Sequence, residues 1–144
     1  MPAGIDTIGS CIHTQVLIAE PSLMPKKVTI YHNPQCSKSR AAMAYLQQLD
    51  LDITVVEYLK DAPAEKSIEA ILKKLNLSAR EILRTGESQY KSLQLDKPHS
   101  EAELIDLIHH NPILMERPIV VTRHGAAIGR PLTNIIELLE DESD

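Results

Sequence analysis

The chain has 144 residues, of which 43% are hydrophobic, so it can form one domain of ordinary size and is too short for two. It contains no Trp or Phe and has a formal net charge of -5, which argues against a nucleic-acid partner, because such proteins usually need basic or aromatic surfaces. Two Cys cannot form a disulfide framework and no apolar run reaches the ~20 residues that cross a bilayer, so we predict a cytoplasmic protein with no membrane partner.

The first segment of the chain is predicted to be an extension. Residues 1–23 show no sustained hydrophobic period and lack the Lys or Arg that begins a secretory signal. Met24 follows as a natural start. We therefore expect a poorly ordered N-terminal extension over residues 1–23, which includes an incidental Cys11, and one domain over residues 24–140.

The pattern after Met24 predicts a βαβ unit. Val28–Tyr31 is a short β-branched strand that ends at a His-Asn-Pro turn. Apolar residues at helical spacing predict a helix over Ser37–Leu49, beginning beside Cys36. Ile53–Tyr58 predicts a second strand, and because a helix separates the two strands they should be parallel.

The remaining pattern predicts helices followed by a ββα unit. Three helices are expected in the middle of the chain: Ala64–Leu75, a short helix from a Ser78 cap through Leu83, and a helix from a Ser100 cap through His110. Two strands, a turn and a closing helix follow: Ile119–Thr122, His124-Gly125, Ala126–Gly129 and Leu132–Leu139. This order predicts an α/β, thioredoxin-like fold with a helical insertion between the βαβ and ββα halves.

Cys36 is the candidate nucleophile. It lies where the turn after the first strand meets a helix N-terminus, whose unpaired N–H groups and dipole favour a thiolate. Three cations are within local reach: His32, Lys38 and Arg40. The alternative is a buried and unreactive thiol, which is the commoner fate of a lone cysteine.

Two familiar thiolate motifs do not fit this segment. Ser39 stands where a C-x-x-C dithiol needs its second Cys, so redox work would require an outside thiol. Ala42 stands where the phosphate loop of tyrosine phosphatases needs Arg. The sequence therefore argues against both a local disulfide and phosphatase chemistry of that type.

The segment His32–Arg40, which reads HNPQCSKSR, resembles the glutaredoxin-linked arsenate reductase family. The similarity extends from about Lys27 to Leu139. Further matches are Tyr58-Leu59-Lys60, Arg84 after Glu81-Ile82-Leu83, His110–Leu114, Arg117–Val121 and Gly129-Arg130-Pro131. Thr85-Gly86-Glu87 departs from the reductases of plasmid resistance operons and favours a housekeeping branch.

The resemblance implies an arsenate reductase with Cys36 as the catalytic nucleophile. It assigns oxyanion binding to three arginines, Arg84, Arg117 and Arg130. It assigns supporting roles to His32, Ser39 and Pro118, the last as the cis-proline beside the site. A lone loop arginine is more often a surface salt-bridge partner, and His32 could equally serve only to close its turn.

The implied reaction begins with attack of the Cys36 thiolate on arsenate. Glutathione, the co-substrate, then attacks the covalent adduct, and glutaredoxin clears the mixed species. No bound cofactor is expected. No metal is expected either, because no His pair at i, i+4 or matching Cys or Asp cluster occurs, and we expect a monomer.

Two other functions stay open at this point. One is a thiol oxidoreductase of the same fold that acts on a glutathionylated protein or another oxyanion. The other is a non-enzymatic regulator similar to the Spx transcription factors, which bind RNA polymerase. Their redox switch is a C-x-x-C, which Ser39 interrupts here.

Overall fold

The computed structural model describes residues 26–141. The expected extension over 1–23, its Cys11 and the last residues of the acidic tail lie outside this range. The described part has four strands and five α-helices: β1 (Lys26–Tyr31), α1 (Ser37–Gln47), β2 (Leu51–Val56), α2 (Glu65–Leu75), α3 (Ser88–Ser92), α4 (Glu101–His110), β3 (Ile119–Val121), β4 (Ala126–Ile128) and α5 (Thr133–Asp141). Two 3-10 turns cover Ala79–Ile82 and Pro112–Leu114.

The strands form one mixed sheet in the order β2-β1-β3-β4. β1 and β2 are parallel, with Val28 opposite Ile53. β3 is antiparallel to both β1 and β4. The predicted α/β, thioredoxin-like arrangement is therefore confirmed, with a βαβ half, a helical insertion and a ββα half.

Two hydrophobic cores lie on opposite faces of the sheet. The first, which we call the α1–α5 core, consists of Val28, Ile30, Ala42, Leu46, Val120 and Ile135. The second, which we call the insertion core, joins the helices of the insertion to the sheet and includes Tyr58, Ile68, Ile108, Met115 and Ile119. Because successive residues of a strand point to opposite faces, Ile119 enters the insertion core and Val120 the α1–α5 core.

The insertion follows its local sequence signals closely. Ser100 begins α4 with a capping box, in which Glu103 N–H donates to Ser100 Oγ at 3.1 Å and Ser100 N–H donates to Glu103 Oε1 at 2.8 Å. Ser78 precedes a 3-10 turn instead of the expected helix through Leu83. Helix α3 and the second 3-10 turn were not predicted.

Several element boundaries differ from the prediction because strand pairing and core packing determine where the elements begin and end. β2 begins at Leu51, which pairs with Lys26, and ends at Val56 instead of Tyr58. His32 N–H donates to Val56 O at 2.8 Å, after which the chain turns and Tyr58 enters the insertion core with 1% exposure. α1 ends at Gln47, two residues before the predicted end.

The C-terminal boundaries also shift slightly. β3 ends one residue early because Thr122 Oγ1 accepts a hydrogen bond from Gly125 N–H at 3.0 Å and so belongs to the turn. β4 ends before Gly129, and α5 runs from Thr133 to Asp141. Within residues 26–141, no helix has both the length and the apolar character needed to span a bilayer.

Candidate active site

The candidate site lies at the edge of the sheet where β1 and β2 both end. Parallel strands bring their carboxyl ends to the same edge, and the His32 to Val56 hydrogen bond joins the two connecting loops there. Cys36 N–H donates to Asn33 O at 3.0 Å, which closes the turn and places Cys36 at the N-cap of α1. The sequence prediction that this helix begins beside Cys36 is confirmed.

The Cys36 thiol is buried, with 8% of the residue exposed. Burial raises its pKa, but the backbone N–H groups of Ser39 and Lys38 and the Arg117 guanidinium together outweigh burial, so the pKa is lowered overall. Helix N–H groups were the predicted cause. The distant Arg117 is the cation that contributes, whereas the nearby Arg40 donates to Pro34 O at 2.9 Å.

His32 and Ser39 hold the loop that precedes Cys36. His32 Nδ1 lies 2.7 Å from Ser39 Oγ, which also accepts a hydrogen bond from Asn33 N–H at 3.0 Å. Both side chains are buried. Burial lowers the pKa of His32, with Glu57 opposing and Arg40 adding to the effect, so a neutral imidazole is favoured. Of the roles considered for His32, closure of its turn fits the contact with Ser39, whereas a positive charge beside the thiol does not fit the lowered pKa of His32.

Arg117 is the arginine that faces the Cys36 sulfur. Its Nε and Nη1 atoms are buried and have no hydrogen-bond partner. Such groups are rarely left unpaired in native proteins. The peptide bond from Arg117 to Pro118 is cis, as the family resemblance implies, and Pro118 is buried. Arg117 therefore presents two unsatisfied donors beside the thiol.

Arg84 is anchored by a short pairing between two loops. Leu83 and Met115 form an isolated antiparallel bridge, and Arg84 N–H donates to Leu114 O at 2.8 Å. The Arg84 side chain is partly buried and forms an ion pair with Glu87. It is therefore occupied, unlike the Nε and Nη1 atoms of Arg117.

Arg130 lies at the rim. Gly129 N–H donates to Pro118 O at 2.8 Å, and the register of β3 and β4 continued by two residues sets Arg130 opposite Arg117. Its side chain is exposed. Burial raises the pKa of Glu116 and the Arg130 charge opposes that rise, so Arg130 lies near Glu116.

Tyr58 and Glu87 belong to this region but were not among the predicted site residues. Burial raises the pKa of Tyr58 to about 12, and the charges of Arg117, Cys36 and Glu87 all act on its hydroxyl. The Asn33 side chain also faces that hydroxyl. The sequence signals were the Tyr58-Leu59-Lys60 match and the departure at Thr85-Gly86-Glu87, and neither indicated a role in the site.

No cluster of three or more His, Cys, Asp or Glu side chains within residues 26–141 is arranged to hold a metal ion. The arrangement instead combines a thiol of lowered pKa with guanidinium groups. Such a site can make a nucleophile and can bind an anion next to it.

The fold and this site define a thioredoxin-like protein in which a buried thiol, Cys36, lies next to an arginine. Residues 31–138 match the model of the ArsC family, so the chain belongs to the ArsC family. This confirms the resemblance that the segment around Cys36 indicated.

Named relatives cover most of the chain. An arsenate reductase of Neisseria meningitidis is 43% identical over 118 residues, which are 81% of this chain and 100% of the relative. The Escherichia coli uncharacterized protein YfgD is 44% identical over 118 residues, which are 81% of this chain and 99% of the relative. The solved structure of an arsenate reductase from Vibrio cholerae has a TM-score of 0.76 and 35% identity, and the match covers 79% of this chain and 98% of that one.

Proposed function

We propose that this chain is an arsenate reductase in which Cys36 is the nucleophile and glutathione, with glutaredoxin, supplies the electrons. The observation that carries the proposal is the Arg117 guanidinium, which faces the thiol and whose buried Nε and Nη1 atoms have no hydrogen-bond partner. The substrate is taken from the relatives that are named arsenate reductase.

The charge balance of the site supports an oxyanion substrate. Arsenate is a dianion at neutral pH and repels an incoming thiolate, so a nearby guanidinium is needed to offset that charge. An oxyanion oxygen would also accept the two N–H groups of Arg117 that are otherwise unpaired in the interior. Leaving such groups unpaired costs about 1–3 kcal/mol each, so binding an oxyanion is favoured.

The proposed reaction is balanced by two thiols. The Cys36 thiolate attacks As(V), an As–O bond breaks, and the oxygen leaves as water after protonation. A glutathione thiolate attacks the Cys36 sulfur, the S–As bond breaks with its electron pair on arsenic, and arsenite leaves behind a Cys36–glutathione disulfide. A glutaredoxin thiolate then attacks the glutathione sulfur, which frees Cys36 and forms a glutaredoxin–glutathione disulfide. In sum, two thiols become one disulfide, As(V) becomes As(III), and one water is released. Since this needs a reduced glutathione pool, we place the enzyme in the cytoplasm.

The proposal is tested by NADPH oxidation in the presence of arsenate, glutathione, glutathione reductase and glutaredoxin. The wild-type protein should give arsenate-dependent oxidation, and Cys36→Ser should abolish it, because a hydroxyl at this position is not ionised at neutral pH. Ser37→Ala, which changes an exposed neighbour, is the matched control. A folded wild type that is inactive, with a Cys36 that still alkylates rapidly, would contradict the arsenate assignment.

A further inference from the structure

Glu87 holds one of the three predicted oxyanion-binding arginines. Arg84 Nη1 donates to Glu87 Oε2 in an ion pair whose two side chains are only 22% and 21% exposed. The residues lie three apart in a tight turn, since Glu87 N–H donates to Arg84 O at 3.3 Å. The guanidinium edge that contains Nη1 is therefore occupied by a carboxylate.

The Glu87 carboxylate pairs with Arg84 and does not cap its own helix. Glu87 occupies the N-cap of α3, where its side chain makes no capping hydrogen bond. Burial raises the pKa of Tyr58, and the charges that act on the same hydroxyl come from Arg117, Cys36 and Glu87. The negative charge of Glu87 thus lies near the Tyr58 hydroxyl, on which Arg117 and the Cys36 thiol also act.

The turn that connects Arg84 to Glu87 is exposed and loosely packed. Thr85 and Gly86 are exposed, and a Cβ added at Gly86 would meet no atom within 4 Å. The backbone that anchors Arg84 is fixed separately by its hydrogen bond to Leu114 O. Arg84 therefore has a backbone anchor that does not depend on its ion pair with Glu87.

We propose that Glu87 competes internally with the oxyanion: its carboxylate holds Arg84 in the free protein, and a bound oxyanion displaces it. This rests on the oxyanion site of the proposed function. Two oxygens of an oxyanion can accept from an arginine fork as a carboxylate does, so Glu87 imitates the ligand at Arg84. Arg117, which has no such partner, would make the first contact with the anion.

The affinity of the site for an oxyanion would then depend on Glu87, a residue that takes no part in the reaction. A carboxylate near a dianion repels it, and the ion pair must be broken before Arg84 can bind. Exposed or partly exposed ion pairs are individually weak, so the competition should be modest. We expect Glu87→Gln to tighten oxyanion binding by about threefold to tenfold, because the amide keeps the size and loses the charge.

The test measures how inorganic arsenate and, separately, inorganic phosphate slow the alkylation of Cys36 by iodoacetamide, with no glutathione present. The half-protecting concentration should fall in Glu87→Gln and stay unchanged in Glu69→Gln, which removes an exposed carboxylate from α2. In an Arg84→Ala background the effect of Glu87→Gln should shrink, because no guanidinium remains to be released.

The outcomes separate this inference from the proposed function. A half-protecting concentration that is unchanged or higher in Glu87→Gln would overturn the inference, and so would the absence of protection by either anion in any variant. Protection that tightens as expected, in a protein that does not oxidise NADPH with arsenate, would support the inference and contradict the arsenate assignment.

Discussion

The ionisation of Cys36 depends on two opposing influences. Burial disfavours the thiolate, while the N–H groups at the start of α1 and the Arg117 guanidinium favour it. The helix N-terminus is local and could be predicted from the strand-turn-helix pattern. Arg117 is remote in sequence, so the net direction of the shift follows only from the folded structure.

We predict that Arg117→Ala raises the pKa of Cys36. The thiolate is the reactive form of cysteine. In the wild type, the pH at which alkylation by iodoacetamide accelerates should therefore be lower than for an ordinary cysteine. Loss of the Arg117 charge should move that rise to higher pH. Arg123→Ala is the control, since Arg123 is exposed in the turn between β3 and β4. Identical pH profiles for wild type and Arg117→Ala would rule out this influence.

Ser39 is predicted to be a structural support of the site. Ser39→Ala removes the partner of His32 Nδ1 and of Asn33 N–H, and each unpaired group costs about 1–3 kcal/mol. We expect the free energy of unfolding, measured in urea, to fall by about 2 kcal/mol or more. Ser37→Ala, at an exposed position two residues earlier, should change it by less than about 0.5 kcal/mol, and equal effects would contradict this role.

At the scale of elements, the loop that follows β4 determines the position of Arg130. A Cβ at Gly129 would lie 2.9 Å from Pro118 Cγ and 2.5 Å from Ile135 Cδ1. The Ile135 side chain can adjust, but the proline ring cannot move without displacing the loop beside Cys36. The absence of a side chain at Gly129 is therefore required for the close approach of the segment that carries Arg130.

We predict that Gly129→Ala destabilises the fold by about 1–3 kcal/mol, the usual cost of overpacking. It should also slow NADPH oxidation by disturbing Pro118. Gly86→Ala is the matched control, because a Cβ there enters open space. Thermal unfolding and the coupled assay would measure both effects, and a stability equal to that of Gly86→Ala would show that the contact is relieved at no cost.

Elements with strong local signals could be predicted from the sequence. The parallel β1–β2 pair followed from a helix between two β-branched runs, and α4 from its Ser100 cap. Helix α3 has five residues and no apolar period, so nothing in its sequence indicated it. The strand pattern continued to Tyr58, but tertiary packing draws that residue into the insertion core. The pairing of Arg84 with Glu87 occurs in a loop, where spacing gives no signal.

At the scale of the whole molecule, one sheet separates the two cores and couples them. β3 contributes Ile119 to the insertion core and Val120 to the α1–α5 core. The insertion also supplies Arg84, while the ββα half supplies Arg117 and Arg130. The proposed oxyanion site therefore draws on both halves of the chain, so we expect destabilisation of either core to change the environment of Cys36.

We predict that Ile68→Ala, in the insertion core, and Ile135→Ala, in the α1–α5 core, each lower the free energy of unfolding by about 2–5 kcal/mol, as for other fully buried isoleucines. In both variants, urea unfolding followed by circular dichroism should coincide with unfolding followed by the exposure of Cys36 to alkylation. Ser37→Ala serves again as the exposed control. If the circular dichroism and alkylation curves instead separated in Ile68→Ala, the insertion would unfold independently of the sheet. The position of Arg84 would then depend on the stability of the insertion alone.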